Sequence, residues 1–116
     1  MMEIQIDVSR DDSVVVFTIL DKEVNRSNSA SLKEKIFVEI AEGNNKIILD
    51  LKNVAEMDSS GLGALLFGKR QASNSEGNIL LVSVNPAIQS LLRIAQLNRV
   101  FDTFESVEDA RKNFAK

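Results

Sequence analysis

The chain has 116 residues, a length that predicts one domain able to bury a single hydrophobic core. Its net charge of −3 at pH 7 argues against nucleic acid as the main partner, because binding phosphates requires a basic surface. The absence of cysteine and histidine excludes disulfides, thiolate metal sites and any serine hydrolase chemistry that uses a histidine of this chain. There is no signal-peptide pattern in MMEIQIDV and no apolar run near the ~20 residues of a membrane span. We therefore expect one cytoplasmic domain over residues 1–116, without membrane insertion.

The hydrophobic pattern switches regularly between the two-residue period of strands and the 3.6-residue period of helices. The first helix is predicted from the stripe of Leu32, Ile36 and Ile40, with Ser27 or Asn28 as its cap and Gly43 at its end. Three further helices are predicted over residues 60–75, from Asn85-Pro86 and from the capping sequence Ser106–Asp109. The predicted strands are EIQIDV (3–8), SVVVFTIL (13–20), KIILDL (46–51), NILLVSV (78–84) and RVFDTF (99–104).

These elements follow one another in the order β-β-α-β-α-β-α-β-α. Alternating strands and helices are typical of an α/β fold with right-handed crossovers between parallel strands. The sequence therefore predicts a single α/β domain whose mixed, mostly parallel sheet has about five strands, with about four helices and a hairpin at the N-terminal end.

The charged residues of the first helix have a plain interpretation. Lys33, Glu34, Lys35 and Glu39 are expected to form a solvated helix face, with Lys35 and Glu39 spaced for a helical ion pair. The RDD sequence at 10–12 is expected to lie in an ordinary loop.

The segment AEMDSSGLG (55–63) is the richest in small and polar residues, and it lies where a strand feeds a helix, as functional sites of α/β sheets often do. Two nucleotide-binding sequence motifs are only partly matched in and just after this segment. A GxGxxG fingerprint would need glycine at Leu66, and the GxxxxGK match at 63–69 is followed by Arg70 in place of the Mg²⁺-binding Ser or Thr. Neither cofactor nor metal is expected.

The two serines of this segment are predicted to have different roles. Ser59 is predicted to be the N-cap of the helix, accepting a hydrogen bond from the amide of about Leu62. Ser60 would then be the first helical residue, with its hydroxyl directed outward beside free backbone N–H groups. A phosphate on Ser60 would interact favourably with the helix N-terminus yet add about −1.5 to −2 charge beside Asp58. This pattern is typical of a switch.

Gly63, Ala64 and Phe67 are predicted to share a helix face with Ser60, because they follow it by three, four and seven residues. The small residues would leave a flat patch for a partner. The alternative, that all three simply pack against another helix, remains open on spacing alone.

The sequence Asp58-Ser59-Ser60-Gly61-Leu62-Gly63, after the strand IILDLKNVAEM, resembles the signature of the STAS domain, in particular of bacterial anti-sigma-factor antagonists. The similarity continues to NPAIQSLLRIAQLNRVFDTFESVEDA (85–110). The resemblance implies a domain that binds an anti-sigma factor, itself an ATP-dependent serine kinase, and thereby frees a sigma factor. The kinase would phosphorylate Ser60 and abolish binding, and a metal-dependent Ser/Thr phosphatase would reverse the step.

The resemblance also implies which residues contact the partner. Asp58 would shape the contact, and Gly61 would let another backbone approach closely. The family's Gly-x-Leu-Asp turn before the first helix is here Lys22-Glu23-Val24-Asn25, so an amide replaces the acid. A STAS scaffold subunit of a stress-sensing complex or lipid transporter, without a phospho-switch, therefore remains an alternative, and a homodimer remains open. The expected partner-binding residues are Asn25, Asp58, Ser59, Gly61, Leu62, Gly63, Ala64 and Phe67.

Overall fold

The sequence pattern folds into alternating strands and helices, described here from a computed structural model of residues 2–115. No helix in this part of the chain is both long and apolar enough to cross a membrane. The elements are β1 (Ile6–Asp11), β2 (Val14–Ile19), β3 (Glu23–Val24), α1 (Ser29–Ala41), β4 (Lys46–Asp50), β5 (Glu56–Met57), α2 (Ser59–Asn74), β6 (Asn78–Val82), α3 (Pro86–Ile94), β7 (Thr103–Phe104) and α4 (Val107–Phe114).

The main sheet has five strands in the order β1-β2-β4-β6-β7. β1 pairs antiparallel with β2, and every other pairing in this sheet is parallel. The predicted fold class is therefore confirmed, including the N-terminal hairpin. β3 and β5 were not predicted. They form a separate parallel pair of two residues each, which is too short to produce a hydrophobic period in the sequence.

The N-terminal hairpin is tighter than predicted. Its turn consists of Asp12 and Ser13 alone, both with positive φ (50° and 69°), as a two-residue turn between right-twisted strands requires. Arg10 and Asp11, which were expected to lie in a loop, continue β1 instead. The last strand is shorter than predicted, because only Thr103 and Phe104 of the segment RVFDTF pair with β6.

Alternate side chains of the strands point to opposite faces of the sheet, which separates two apolar clusters. One face, with Phe17 and Leu49, packs against α1, α2 and α3. The other face, with Val16 and Ile48, packs against α4 through Ala110. This arrangement leaves the ends of the parallel strands free to carry loops on which a site can form.

Glu39 of α1 is buried, so the prediction that it is solvated and paired with Lys35 is wrong. Its carboxylate accepts hydrogen bonds from Arg10 Nε at 3.1 Å and Nη2 at 2.5 Å, and from Asn44 Nδ2 at 3.1 Å. Lys35 instead pairs with Glu3 at 3.0 Å. The hydrogen bond and the negative charge of Glu39 raise the pKa of the Arg10 guanidinium above its ordinary value. The prediction that Arg10 lies in a loop is also wrong.

Candidate partner-binding site at the start of helix α2

The small β3–β5 sheet places the loop after β2 beside the serine-rich segment. The N–H of Ala55 donates to the Lys22 carbonyl at 2.7 Å, and the N–H of Asp58 donates to the Val24 carbonyl at 3.2 Å. These bonds join two segments that are more than thirty residues apart in the sequence. The result is a shallow, open depression lined by Asn25, Arg26, Ser27, Asp58, Ser59 and Ser60.

Asp58, rather than Ser59, is the N-cap of α2. Its Oδ1 accepts from the N–H of Gly61 at 3.0 Å, and its Oδ2 accepts from the N–H of Arg26 at 3.2 Å. A carboxylate has two acceptor oxygens and can serve the helix and the neighbouring loop at once, whereas one hydroxyl is poorly placed to serve both. The prediction that Ser59 caps the helix is therefore wrong. Ser59 is the first helical residue and is exposed.

Ser60 is the second residue of α2, one position later than predicted, and its side chain is half-buried. The N–H groups of Gly61 and Leu62 are bonded to Asp58. Within residues 2–115, the N–H groups of Ser59 and Ser60 have no acceptor, as expected for the first turn of a helix. The Ser60 hydroxyl thus lies next to two free amide donors and two residues from the carboxylate of Asp58.

Asn25 stabilises the loop that faces Ser60. Its Oδ1 accepts from the N–H of Ser27 at 2.9 Å, and its carbonyl accepts from the N–H of Ser29 at 2.9 Å. Asn28, a predicted cap of α1, occupies the N-cap position but uses its side chain on the loop, bonding the N–H of Asn25 and the carbonyl of Glu23. Since Asn25 uses its side-chain oxygen, an aspartate at this position would preserve the same bond.

Gly61 is required by the chain's own backbone. A Cβ at this position would lie 2.6 Å from the Val24 carbonyl oxygen and 2.4 Å from Met57 Cγ. The backbone that approaches Gly61 closely is therefore β3, which corrects the expectation that the space is left for a partner. Gly63 differs, because beyond its own helical turn no atom of the described chain lies within 4 Å of such a Cβ.

Ala64 has no exposed surface, so the expectation that it contributes to an accessible patch is wrong. It belongs to the core between the helices and the sheet, as the packing alternative stated, and Leu62 is also buried. Phe67 is half-buried, with Lys33 Nζ 5.9 Å from its ring centroid, which is within cation–π range. Of the four residues predicted to share one helix face, Ser60, Gly63 and Phe67 are therefore partly accessible and Ala64 is not.

The partial GxxxxGK match at 63–69 lies inside α2, where the backbone amides form helical hydrogen bonds and cannot surround a phosphate. The Lys69 ammonium donates to Asn78 Oδ1 at 2.5 Å. Among residues 2–115, no three acidic side chains come together as a metal site would require. The chemistry available in the depression is hydrogen bonding and charge, which suits binding and modification.

The model of the STAS domain family matches residues 5–110 of the chain. The chain belongs to the STAS domain family. A Thermotoga maritima protein provisionally named an anti-sigma factor antagonist is 32% identical over 97 residues, which cover 83% of this chain and 86% of the relative.

Solved structures agree with this assignment. The crystal structure of a protein from Thermotoga maritima, with the same provisional name, matches at a TM-score of 0.90 and 28% identity, covering 96% of this chain and 95% of that one. The phosphorylated form of the Bacillus cell fate determinant SpoIIAA has the same fold, with a TM-score of 0.73, 21% identity and coverage of 97% and 99%. The resemblance identified from the DSSG segment is therefore confirmed at the level of family and fold.

Two contributors to this STAS site were missed by sequence reasoning: the backbone N–H of Arg26 and the carbonyl of Val24. Both act through the main chain and across more than thirty residues, so no side-chain pattern signals them. The motif alone located the helix N-terminus, but the loop that completes the depression follows only from the β3–β5 pairing.

Proposed function

We propose that this chain is an anti-sigma factor antagonist whose unphosphorylated form binds an anti-sigma factor and so releases a sigma factor. The anti-sigma factor is also the serine kinase, and it transfers the γ-phosphoryl group of ATP to the Ser60 hydroxyl, after which the complex dissociates. A metal-dependent Ser/Thr phosphatase hydrolyses the phosphoserine and restores binding. The chain itself acts as a binding module. The observation that carries the proposal is the position of Ser60, half-exposed beside free amides and a fixed carboxylate.

The surroundings of Ser60 allow a phosphate to be added without unfolding the domain. The phosphate brings three acceptor oxygens to a helix N-terminus where two N–H groups lack acceptors and the helix dipole is positive. Asp58 keeps its cap, because the amides of Gly61 and Arg26 that hold it are not those left free. Phosphorylation therefore acts on the surface seen by a partner more than on the fold.

The same fixed geometry explains why the partner would respond to the phosphate. Asp58 is held by two hydrogen bonds and cannot turn away from about two additional negative charges. Like charges brought together in a contact from which water is excluded cost several kcal/mol of binding free energy. A partner that complements one carboxylate at this depression is thus expected to reject the phosphorylated form.

The test is phosphorylation and binding with the anti-sigma factor kinase from the same organism. We expect one phosphate on Ser60 in the wild type and none in Ser60→Ala. Ser60→Ala should bind the kinase within twofold of the wild type, whereas Ser60→Asp should bind at least tenfold more weakly. Ser59→Ala is the matched control, because it removes a neighbouring hydroxyl that neither caps the helix nor accepts the phosphate. Phosphorylation of Ser60→Ala, or equal binding by Ser60→Asp, contradicts the proposal.

A STAS scaffold without a phospho-switch is the second candidate, and Asn25 favours it, because it supplies an amide where the resemblance implies a carboxylate. Asn25→Asp distinguishes the two. The variant preserves the bond to Ser27 and adds a charge facing the depression. For the antagonist we expect a larger difference in affinity between the phosphorylated and unphosphorylated forms than in the wild type. For a scaffold, neither the wild type nor Asn25→Asp is phosphorylated.

A further inference from the structure

The outer edge of β1 has a free row of backbone hydrogen-bonding groups. The Leu20 N–H donates to the Gln5 carbonyl at 2.8 Å, and the two-residue turn closes Asp11 against Val14, so the odd-numbered residues of β1 bond to β2. In an antiparallel ladder the residues between them direct their N–H and C=O groups away from the partner strand. Ile6, Val8 and Arg10 therefore present these groups outward, and no strand of residues 2–115 pairs with that edge.

The side chains beside this edge include two exposed valines. Val8 lies opposite Phe17 and so projects on the face of the sheet that carries α1, and it is 43% exposed. Val38 is also 43% exposed. It lies three residues after Lys35, which pairs with Glu3 ahead of β1, so it belongs to the side of α1 that faces the edge. Apolar surface and unpaired backbone thus occur together.

We propose that β1 pairs antiparallel with β1 of a second copy of this chain, with Val8 opposite Val8 on a twofold axis, so that one sheet continues across a homodimer. In this register Ile6 lies opposite Arg10 of the second copy, and each outward residue exchanges two hydrogen bonds with its opposite. The two α1 helices lie on the same face on either side of the axis, where they cover Val8 and Val38.

A pair centred on Ile6 would need the N–H of Ile4, which already donates to Ser31 Oγ at 3.1 Å, and charge disfavours the other registers. Centring the pair on Asp7 would place two aspartates directly opposite each other, and centring it on Ser9 would place Asp7 opposite Asp11. Centring the pair on Arg10 would place two arginines directly opposite each other, and the pairing would extend into the turn after β1. In the register centred on Val8, Asp7 faces Ser9 and no like charges are directly opposite. The positive charge of Arg10 is already compensated by Glu39 of its own chain.

The edge fits a second copy better than it fits the other edge of the same sheet. A contact between β1 and β7 of another copy would be head-to-tail and would form an open filament, and β7 provides only two residues for pairing. The proposed contact is self-complementary and closes on itself. It uses none of the residues that line the depression around Ser60 and is independent of the proposed function.

Site-specific cross-linking tests the register, because the chain has no cysteine of its own. In Val8→Cys, the two Cα atoms would be about 5.5 Å apart, within the range of a disulfide. Ser9→Cys is the matched control: it is equally accessible but lies diagonally from its counterpart, at about 8 Å between Cα atoms. With a mild oxidant we expect most of Val8→Cys, and less than a tenth of Ser9→Cys, to form a covalent dimer on non-reducing gels.

The oligomeric state of the unmodified chain provides the second measurement. Light scattering coupled to size-exclusion chromatography should give a dimer for the wild type at about 100 μM. Val8→Glu, which opposes two carboxylates on the axis, should raise the dimer Kd at least tenfold with an unchanged circular dichroism spectrum. A wild-type monomer at this concentration, or equal cross-linking of the two cysteine variants, overturns the proposal.

Discussion

Gly63 lowers the stability of helix α2, and within residues 2–115 no packing contact requires a glycine there, so Gly63→Ala should stabilise the domain. A glycine in a helix interior is less favourable than alanine by about 0.8–1.0 kcal/mol. The added methyl group meets no atom of the described chain outside its own turn. We therefore expect Gly63→Ala to raise the free energy of unfolding by about 1 kcal/mol. For a domain of this size, that corresponds to a rise in Tm of about 4 °C.

The measurement is urea unfolding followed by far-ultraviolet circular dichroism, because the chain contains neither tryptophan nor tyrosine for fluorescence. Gly61→Ala is the control of opposite sign within the same helix. Its Cβ would lie 2.6 Å from a backbone carbonyl oxygen, so it should lower the free energy of unfolding by about 1–3 kcal/mol. A Gly63→Ala variant no more stable than the wild type would refute the reasoning.

Binding decides why the glycine is present. Gly63 lies one helical turn after Ser60 on the accessible face, so a methyl group there would obstruct a partner whose backbone approaches α2. We expect Gly63→Ala to bind the anti-sigma factor at least tenfold more weakly, although its fold is more stable. If the stabilised variant binds as tightly as the wild type, this part of the helix does not contribute to the interface.

Two further substitutions separate local roles. Asp58→Asn keeps the helix cap but has only one acceptor oxygen, so it should lose the bond from the Arg26 N–H and lower the free energy of unfolding by about 1 kcal/mol. Asp58→Ala loses both bonds and should lower it by about 2 kcal/mol, so equal losses in urea unfolding would contradict the cap assignment. Gln96, just after the C-cap of α3, has a φ of 61°, a backbone conformation that glycine adopts with less strain. Gln96→Gly should therefore raise the free energy of unfolding by about 0.5–1 kcal/mol. A lower Tm of the variant in calorimetry would show that the Gln96 side chain stabilises the domain by more than the backbone strain costs.

The sites at which sequence reasoning failed share one cause. The helical spacing predicted that Glu39 lies on a solvated face of α1, but the Arg10 side chain of the hairpin binds it, and the Glu39 carboxylate is buried at the edge of the core. Ser59 is a favourable cap residue, but Asp58 is held in the cap position by a second bond to the loop at Arg26. In both cases a polar group meets a partner about thirty residues away, and local spacing contains no information about that contact.

Sequence alone determined the order of elements, the mostly parallel sheet and the position of the DSSG segment at the start of a helix. Apolar periodicity records which face of each element is buried, and caps and turn residues mark where elements end. Tertiary structure decided the pairing of β3 with β5, the burial of Ala64 and the close approach of Val24 to Gly61. These depend on long-range packing and on backbone groups, which every residue carries and which therefore leave no trace in the sequence.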